Sequence, residues 1–167
     1  MLKLLTFPGI DDEGNIFVQA INPSDELTKL AGCGDFHPEI SSYIGGLKSC
    51  SEHLYILVNA LGAGEYYGSN INGDYFEEKE LNPTDSSNGT GYQTFFDAGI
   101  YRHHKNKDIS KSTGKVVHAV YNPVMHRVEL VIKLNRQKAI SEGHEDLVNR
   151  LDSGENPAVS MGCRVKY

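Results

Sequence analysis

Residues 115–134 read KVVHAVYNPVMHRVELVIKL. Two runs rich in β-branched residues flank Asn122-Pro123-Val124-Met125, whose Asn-Pro start is turn chemistry, so the stretch predicts a β-hairpin with strands over 115–121 and 127–134. Upstream, HLYILVNAL (53–61) is the most apolar run of the chain and is bounded by Gly62 and Gly64, which predicts a buried strand. IFVQAI (16–21) predicts a short strand, and 158–165 a last one that carries Ser160.

Helical signals lie between these strands. Asn22-Pro23-Ser24-Asp25 combines a capping side chain, a proline for the first helical position and an acid in the first turn, predicting a helix to about Leu30 that Gly32-Cys33-Gly34 breaks. His37-Pro38-Glu39 predicts a second helix to Ile44, ended by Gly45-Gly46. A short acidic turn is expected over 77–81. Residues 135–142 predict a helix closed by Gly143. The next helix, 145–152, is predicted with Leu147, Val148 and Leu151 on one face and Gly154 past its end. The stretch 62–81, GAGEYYGSNINGDYFEEKEL, reads as a functional loop ahead of its acidic turn, and 82–91, NPTDSSNGTG, has no apolar residue and reads as a mobile surface loop. The expectation is one α+β domain over 1–167.

Composition narrows the function classes. The chain has 167 residues, with 16 Lys+Arg against 22 Asp+Glu and a net charge of −6. It lacks a cluster of Lys and Arg, which argues against nucleic acid as the main partner, because phosphate binding needs a dense positive surface. Cys33, Cys50 and Cys163 form no CxxC pair, so neither a zinc knuckle nor a disulfide framework is expected. The apolar start, Met1 to Pro8, is too short for a signal-peptide core, and no run approaches the roughly 20 apolar residues of a membrane span. A soluble intracellular protein without cofactor, recognising other proteins, is the expectation.

Nucleophilic catalysis needs an activated hydroxyl or thiol with backbone donors for the oxyanion. Ser160 stands on a predicted strand before Met161-Gly162, although most serines in such a tripeptide are ordinary strand residues. A base that works near neutral pH is most simply imidazole. His103 and His104 follow Ile100-Tyr101 and open a polar loop; in an extended segment only one of the two faces a given side, and a solvated pair is the plainer reading. A metal reading with His103, His104, His118 and Asp74 ranks last, because no HExxH or helical i, i+4 pair is present. His37, His53, His126 and His144 read as structural or surface residues. In SNINGD (69–74), Asn70, Asn72 and Asp74 read as turn residues around a positive-φ Gly73.

Four blocks taken in order change these odds: LVNALGAGE (57–65), NINGDYF (70–76), RHHKNKD (102–108) with Gly114-Lys115-Val116, and VSMGC (159–163). Their order and content resemble the tailed-phage prohead, or capsid maturation, proteases, which are related to the herpesvirus assemblins; the resemblance covers roughly residues 53–167. It implies a bent, mostly antiparallel, β-barrel-like sheet surrounded by short helices. Matched position by position, Ser160 would be the nucleophile and His104 the base, with His103 as fallback. Gly162, Cys163 and Arg164 would form the oxyanion loop, and Asn72 and Asp74 a substrate loop. The orienting third member usually lies downstream of the serine, whereas this sequence ends seven residues after Ser160. A missing C-terminal portion or an upstream substitute, Asp108, His118 or Glu129, would account for that. The resemblance further implies cleavage of phage scaffold and major capsid proteins, and of the enzyme itself, inside the assembling prohead in the host cytoplasm, with a homodimer as the expected assembly. The alternative is a catalytically inert capsid-assembly module that binds scaffold with the same fold.

Overall fold

A computed structural model describes residues 2–4, 19–21, 36–48, 50–69, 73–102, 106 and 108–153. In chain order these give β1 (Leu2–Leu4), β2 (Gln19–Ile21), α1 (Pro38–Gly45), β3 (His53–Gly62), α2 (Gly64–Tyr67) and α3 (Glu78–Leu81). After a 3₁₀ turn at Gly91–Phe95 come β4 (Gly99–Ile100), a second 3₁₀ turn at Ile109–Lys111, β5 (Gly114–Asn122), β6 (Arg127–Asn135), α4 (Arg136–Ser141) and α5 (Glu145–Asp152). The expected hairpin is β5–β6, with β5 one residue longer at both ends and β6 one residue longer at its C-terminal end. The expected helices at 37–44, 77–81, 135–142 and 145–152 are α1, α3, α4 and α5. Neither β1 nor α2 was foreseen, and the predicted helix after Asn22 and strand at 158–165 lie outside the described residues.

The strands form one sheet in the order β2-β1-β3-β6-β5-β4. Four of them, β3-β6-β5-β4, are antiparallel throughout, and β1 joins β3 in parallel. The α+β expectation therefore holds, while among the described residues the strand order is linear, with β2 and β4 at its ends, and does not close into a barrel.

The central strand β6 explains the layering. Val128, Leu130, Ile132 and Leu134 point to one face, where they join Leu54, Ile56, Val58, Val116 and Ala119 under Leu81 of α3, Ala139 of α4 and Val148 and Leu151 of α5. Val131, on the other face, packs with Leu57 and Val120 under Ile40 and Ile44 of α1. A strand covered on both sides loses the in–out alternation of a half-exposed one, and β6 is buried from Arg127 through Ile132. Each aliphatic side chain so buried stabilises the fold by about 1.5–3 kcal/mol before chain entropy is counted.

Two bulges bend this sheet. The register shifts between Asn59 and Leu61 on β3, and between Val116 and His118 on β5, each time leaving one extra residue opposite β6. The second bulge has a visible consequence. It places both Val117 and His118 on the α1 face, where strict alternation would have put one of them on the other.

The stretch 82–91 is a chain of side-chain-capped turns. Asn82 Oδ1 accepts from the Thr84 amide at 2.9 Å, and Asn88 Oδ1 from those of Thr90 and Gly91 at 2.9 and 3.0 Å. Polar residues without an apolar neighbour here organise the backbone instead of a core.

Candidate functional site

The hairpin tip is tied to the rest of the fold by side chains and by backbone. Asn122 Oδ1 accepts from the amides of Val124 and Met125, both at 3.0 Å, closing the turn that Asn122-Pro123 predicts. Tyr67 on α2 donates its hydroxyl to the Met125 carbonyl at 2.5 Å, and the Ala63 amide donates to the His126 carbonyl at 2.8 Å. The glycine-rich block that follows β3 is thus fastened to the tip. It is also fastened to the second motif block: Gly64 N–H donates to Phe76 O at 2.7 Å, and the Glu65 carboxylate accepts from Glu78 N–H at 2.9 and 3.0 Å. Gly64 permits this closure, because a Cβ there would lie 2.6 Å from the Tyr75 ring. Gly73 takes φ +82, the conformation expected of it in the N-x-N-G-D turn, beside an exposed Asp74.

Two carboxylate–imidazole pairs are present among the described residues. Glu78, at the start of α3, accepts a short hydrogen bond from the Tyr121 hydroxyl and pairs with His126 Nδ1 at 2.8 Å. The His126 ring lies flat on Tyr66, with centroids 3.5 Å apart. Tyr121 first, His126 next and Tyr66 in smaller part hold the Glu78 carboxyl below its ordinary range, against a partial desolvation that raises it. Burial, reinforced by Glu78, pushes the Tyr121 hydroxyl well up, so it stays a donor. The second pair, His118 with Glu39, is looser. Nε2 lies 3.2 Å from Oε1 without an aligned hydrogen bond, and the ring is stacked on Tyr43 at 4.5 Å with the Phe96 edge nearby.

A third cluster is fully buried on the α1 face. Arg127 and Glu129, two apart on β6 and hence on one side, are 1% and 0% exposed. Glu129 Oε1 accepts from Arg127 Nε at 3.0 Å and from Asn122 Nδ2 at 2.8 Å, and Oε2 from the His37 amide at 3.0 Å. The Arg127 guanidinium sits 5.3 Å from the centre of the Phe36 ring. Asn59 stands opposite Glu129 across the bulge, 2% exposed, and neither end of its amide has a hydrogen-bond partner among the described residues.

Of the residues proposed as the orienting group, His118 and Glu129 share the α1 face, and the first turn of α1 touches both, through Glu39 and the His37 amide. Asp108 is elsewhere: exposed, it caps the second 3₁₀ turn by accepting from Ser110 N–H at 2.9 Å and Ser110 Oγ at 2.6 Å, contacts that hold its carboxyl below the usual range. Ser160, His103, His104, Asn72, Gly162, Cys163 and Arg164 lie outside the described residues. The flanks of the histidine segment are described. Arg102 makes a bidentate pair with Asp146 at 2.5 and 2.6 Å, tying the exit of β4 to the first turn of α5, and Lys111 meets Glu142 at 3.0 Å.

Sequence reasoning missed both hairpin-tip clusters. An Arg-x-Glu pair at the start of a mostly apolar strand was the available signal for one; the other joins Tyr66, Glu78, Tyr121 and His126, which no spacing rule connects. Among the described residues no helix is long and apolar enough to cross a membrane. Comparison with protein-family models, curated proteins and solved structures finds no match for this chain.

Proposed function

We propose that the protein is a serine endopeptidase of the tailed-phage prohead type, with Ser160 as nucleophile and His104, or His103 in its place, as base. The ordered motif set carries the reading, and one structural observation supports it: the first two of the four blocks that the resemblance groups are physically joined. The glycine-rich block and the N-x-N-G-D turn close on each other through Gly64–Phe76 and Glu65–Glu78. The histidine segment leaves β4 beside Arg102, which Asp146 fastens to α5. Ser160 follows the last residue of α5, Asp152, by eight positions. Eight residues span at most about 26–29 Å, and α5 itself is only about 12 Å long, so the chain has length enough to bring the hydroxyl back to the histidines.

In this mechanism the imidazole takes the Ser160 proton as Oγ attacks a peptide carbonyl, and the backbone N–H groups of Gly162, Cys163 and Arg164 hold the oxyanion. The imidazolium then protonates the leaving amine, and a water, deprotonated by the same ring, hydrolyses the acyl-enzyme. Asn72 and Asp74 border the substrate. The finer architecture that goes with this reading is a sheet bent toward a barrel, and its two bulges supply the local curvature. Substrates are the scaffold and major capsid proteins inside the assembling prohead, with a homodimer as the enzyme's state.

The test is mass spectrometry of scaffold and capsid proteins incubated with the chain, beside Ser160→Ala and His104→Ala. Defined fragments are expected from the parent, with rates about a thousandfold or more lower in both variants. Fragments that persist unchanged in Ser160→Ala would refute the assignment. Binding of scaffold that survives Ser160→Ala, with no cleavage by the parent, would favour the inert assembly module.

A further inference from the structure

We propose that Cys50, Glu52 and His53 form a zinc-binding site where the chain enters β3. One ligand atom from each of the three lies within 4.8 Å of the others. Cys50 Sγ and His53 Nδ1 are 3.7 Å apart. A tetrahedral zinc ion with Zn–S of about 2.3 Å and Zn–N of about 2.0–2.1 Å separates those two donors by about 3.6 Å, so an ion fits between them with almost no movement.

The backbone fixes two of the three ligands. His53 is the first residue of β3 and is paired with Asn135, and the Glu52 carbonyl accepts from the Arg136 amide at 3.0 Å. Cys50 and His53 are half-buried, which limits competition from bulk water, while Glu52 is exposed and free to swing its carboxylate inward. A thiolate, an imidazole and a carboxylate make a borderline-soft set that favours zinc over calcium or magnesium, which prefer all-oxygen shells. Three protein ligands leave one tetrahedral position for water or an external group. The site uses none of the residues of the protease reading and does not depend on it. Its effect would be to clamp the segment after α1 onto the start of the central sheet, with metal binding releasing the thiol proton.

The experiment is a titration of the chelator-stripped full chain with Co²⁺ followed by Zn²⁺. The expected result is one Co²⁺ per chain with a thiolate-to-cobalt charge-transfer band that Zn²⁺ abolishes by displacement. Cys50→Ser should lose the band, and His53→Asn should weaken binding about a hundredfold or more. The double variant Cys33→Ser/Cys163→Ser leaves Cys50 as the single thiol of the three in the sequence and should keep the band, which assigns the ligand even if Cys50→Ser does not fold. A parent chain without the band, a band that survives in Cys50→Ser, or one lost from the double variant would overturn the site.

Discussion

The two faces of the sheet solve burial in opposite ways. Toward α3, α4 and α5 the side chains of β6 are Val128, Leu130, Ile132 and Leu134, and the core there is aliphatic. Toward α1 the same strand presents Arg127, Glu129 and Val131, and the hairpin end of that face buries an ion pair with Asn59 and Asn122 around it. The first face gains stability from area removed from water and tolerates any side chain of suitable volume. The polar hairpin end of the second gains little, because desolvating two charges offsets their attraction, but it penalises error. A one-residue slip of β6 would turn Arg127 and Glu129 into the aliphatic layer and separate them from the His37 amide and Asn122. The aliphatic packing on both faces therefore supplies the energy of folding, and the polar cluster at the hairpin end of the α1 face makes one register unique.

The largest effect is expected from breaking the polar face on one side only. Glu129→Gln takes the Glu129 charge away from the buried Arg127 guanidinium and should lower stability by about 3–5 kcal/mol in urea denaturation. The double variant Arg127→Met/Glu129→Leu should recover most of that loss, since it removes both charges; if it stays as unstable as the single variant, the pair contributes net energy and the contrast between the faces fails. Asn59→Leu is next and opposite in sign. An amide buried without partners costs about 1–3 kcal/mol, so an apolar replacement of similar shape should raise the denaturation midpoint. A fall instead would mean that a residue beyond those described satisfies the amide. On the apolar face, Ile132→Val should cost about 0.5–1.5 kcal/mol, the ordinary loss of one buried methylene, with no change in the cooperativity of unfolding.

The aliphatic half of this contrast was legible in the sequence, and the polar half was not. Apolar runs at 53–61 and 115–134, with Asn122-Pro123 between the later two strands, fix the central hairpin, because β-branched runs and turn residues act locally. The helix start at His37-Pro38 is equally local, since the His37 ring accepts from Glu39 N–H at 3.3 Å. The bulges at Ala60 and Val117 were illegible, since nothing in either run departs from ordinary strand composition. Pattern reading alone therefore cannot tell which face His118 takes. Glu129 illustrates the same limit for function. It was proposed as an orienting acid by type and position, and the structure shows both of its oxygens engaged within the sheet and by α1. The three-residue strand β1 and the four-residue helix α2 escaped because elements so short are held by tertiary partners, not by their own periodicity.

Glu78 gives the smallest effect and the sharpest test, because it is the counterpart of Glu129 at the same end of the sheet but at a wetter site, with its side chain about one-third exposed. Its folded carboxyl titrates below the ordinary value of 4.5, chiefly through Tyr121 and then His126. A depressed acid contributes stability that is fully present above its unfolded value and is lost as pH falls through the folded one. The melting temperature of Glu78→Gln should accordingly lie below the parent's at neutral pH, with the gap narrowing as pH drops below about 4.5. Tyr121 supplies the alkaline mirror image. Its hydroxyl titrates above the ordinary value of 10, so the hydrogen bond contributes below that value and is lost as pH rises. Tyr121→Phe should remove the alkaline dependence and reduce the acid one, of which His126 and Tyr66 sustain the rest, whereas Glu78→Gln should keep part of the alkaline one, since burial alone already raises the tyrosine. Solvent screening at Glu78 keeps these shifts small beside the Glu129 effect. If Glu78→Gln proved as damaging as Glu129→Gln, exposure would not be what separates the two carboxylates, and the hairpin tip would be held by its ion pairs on both faces alike.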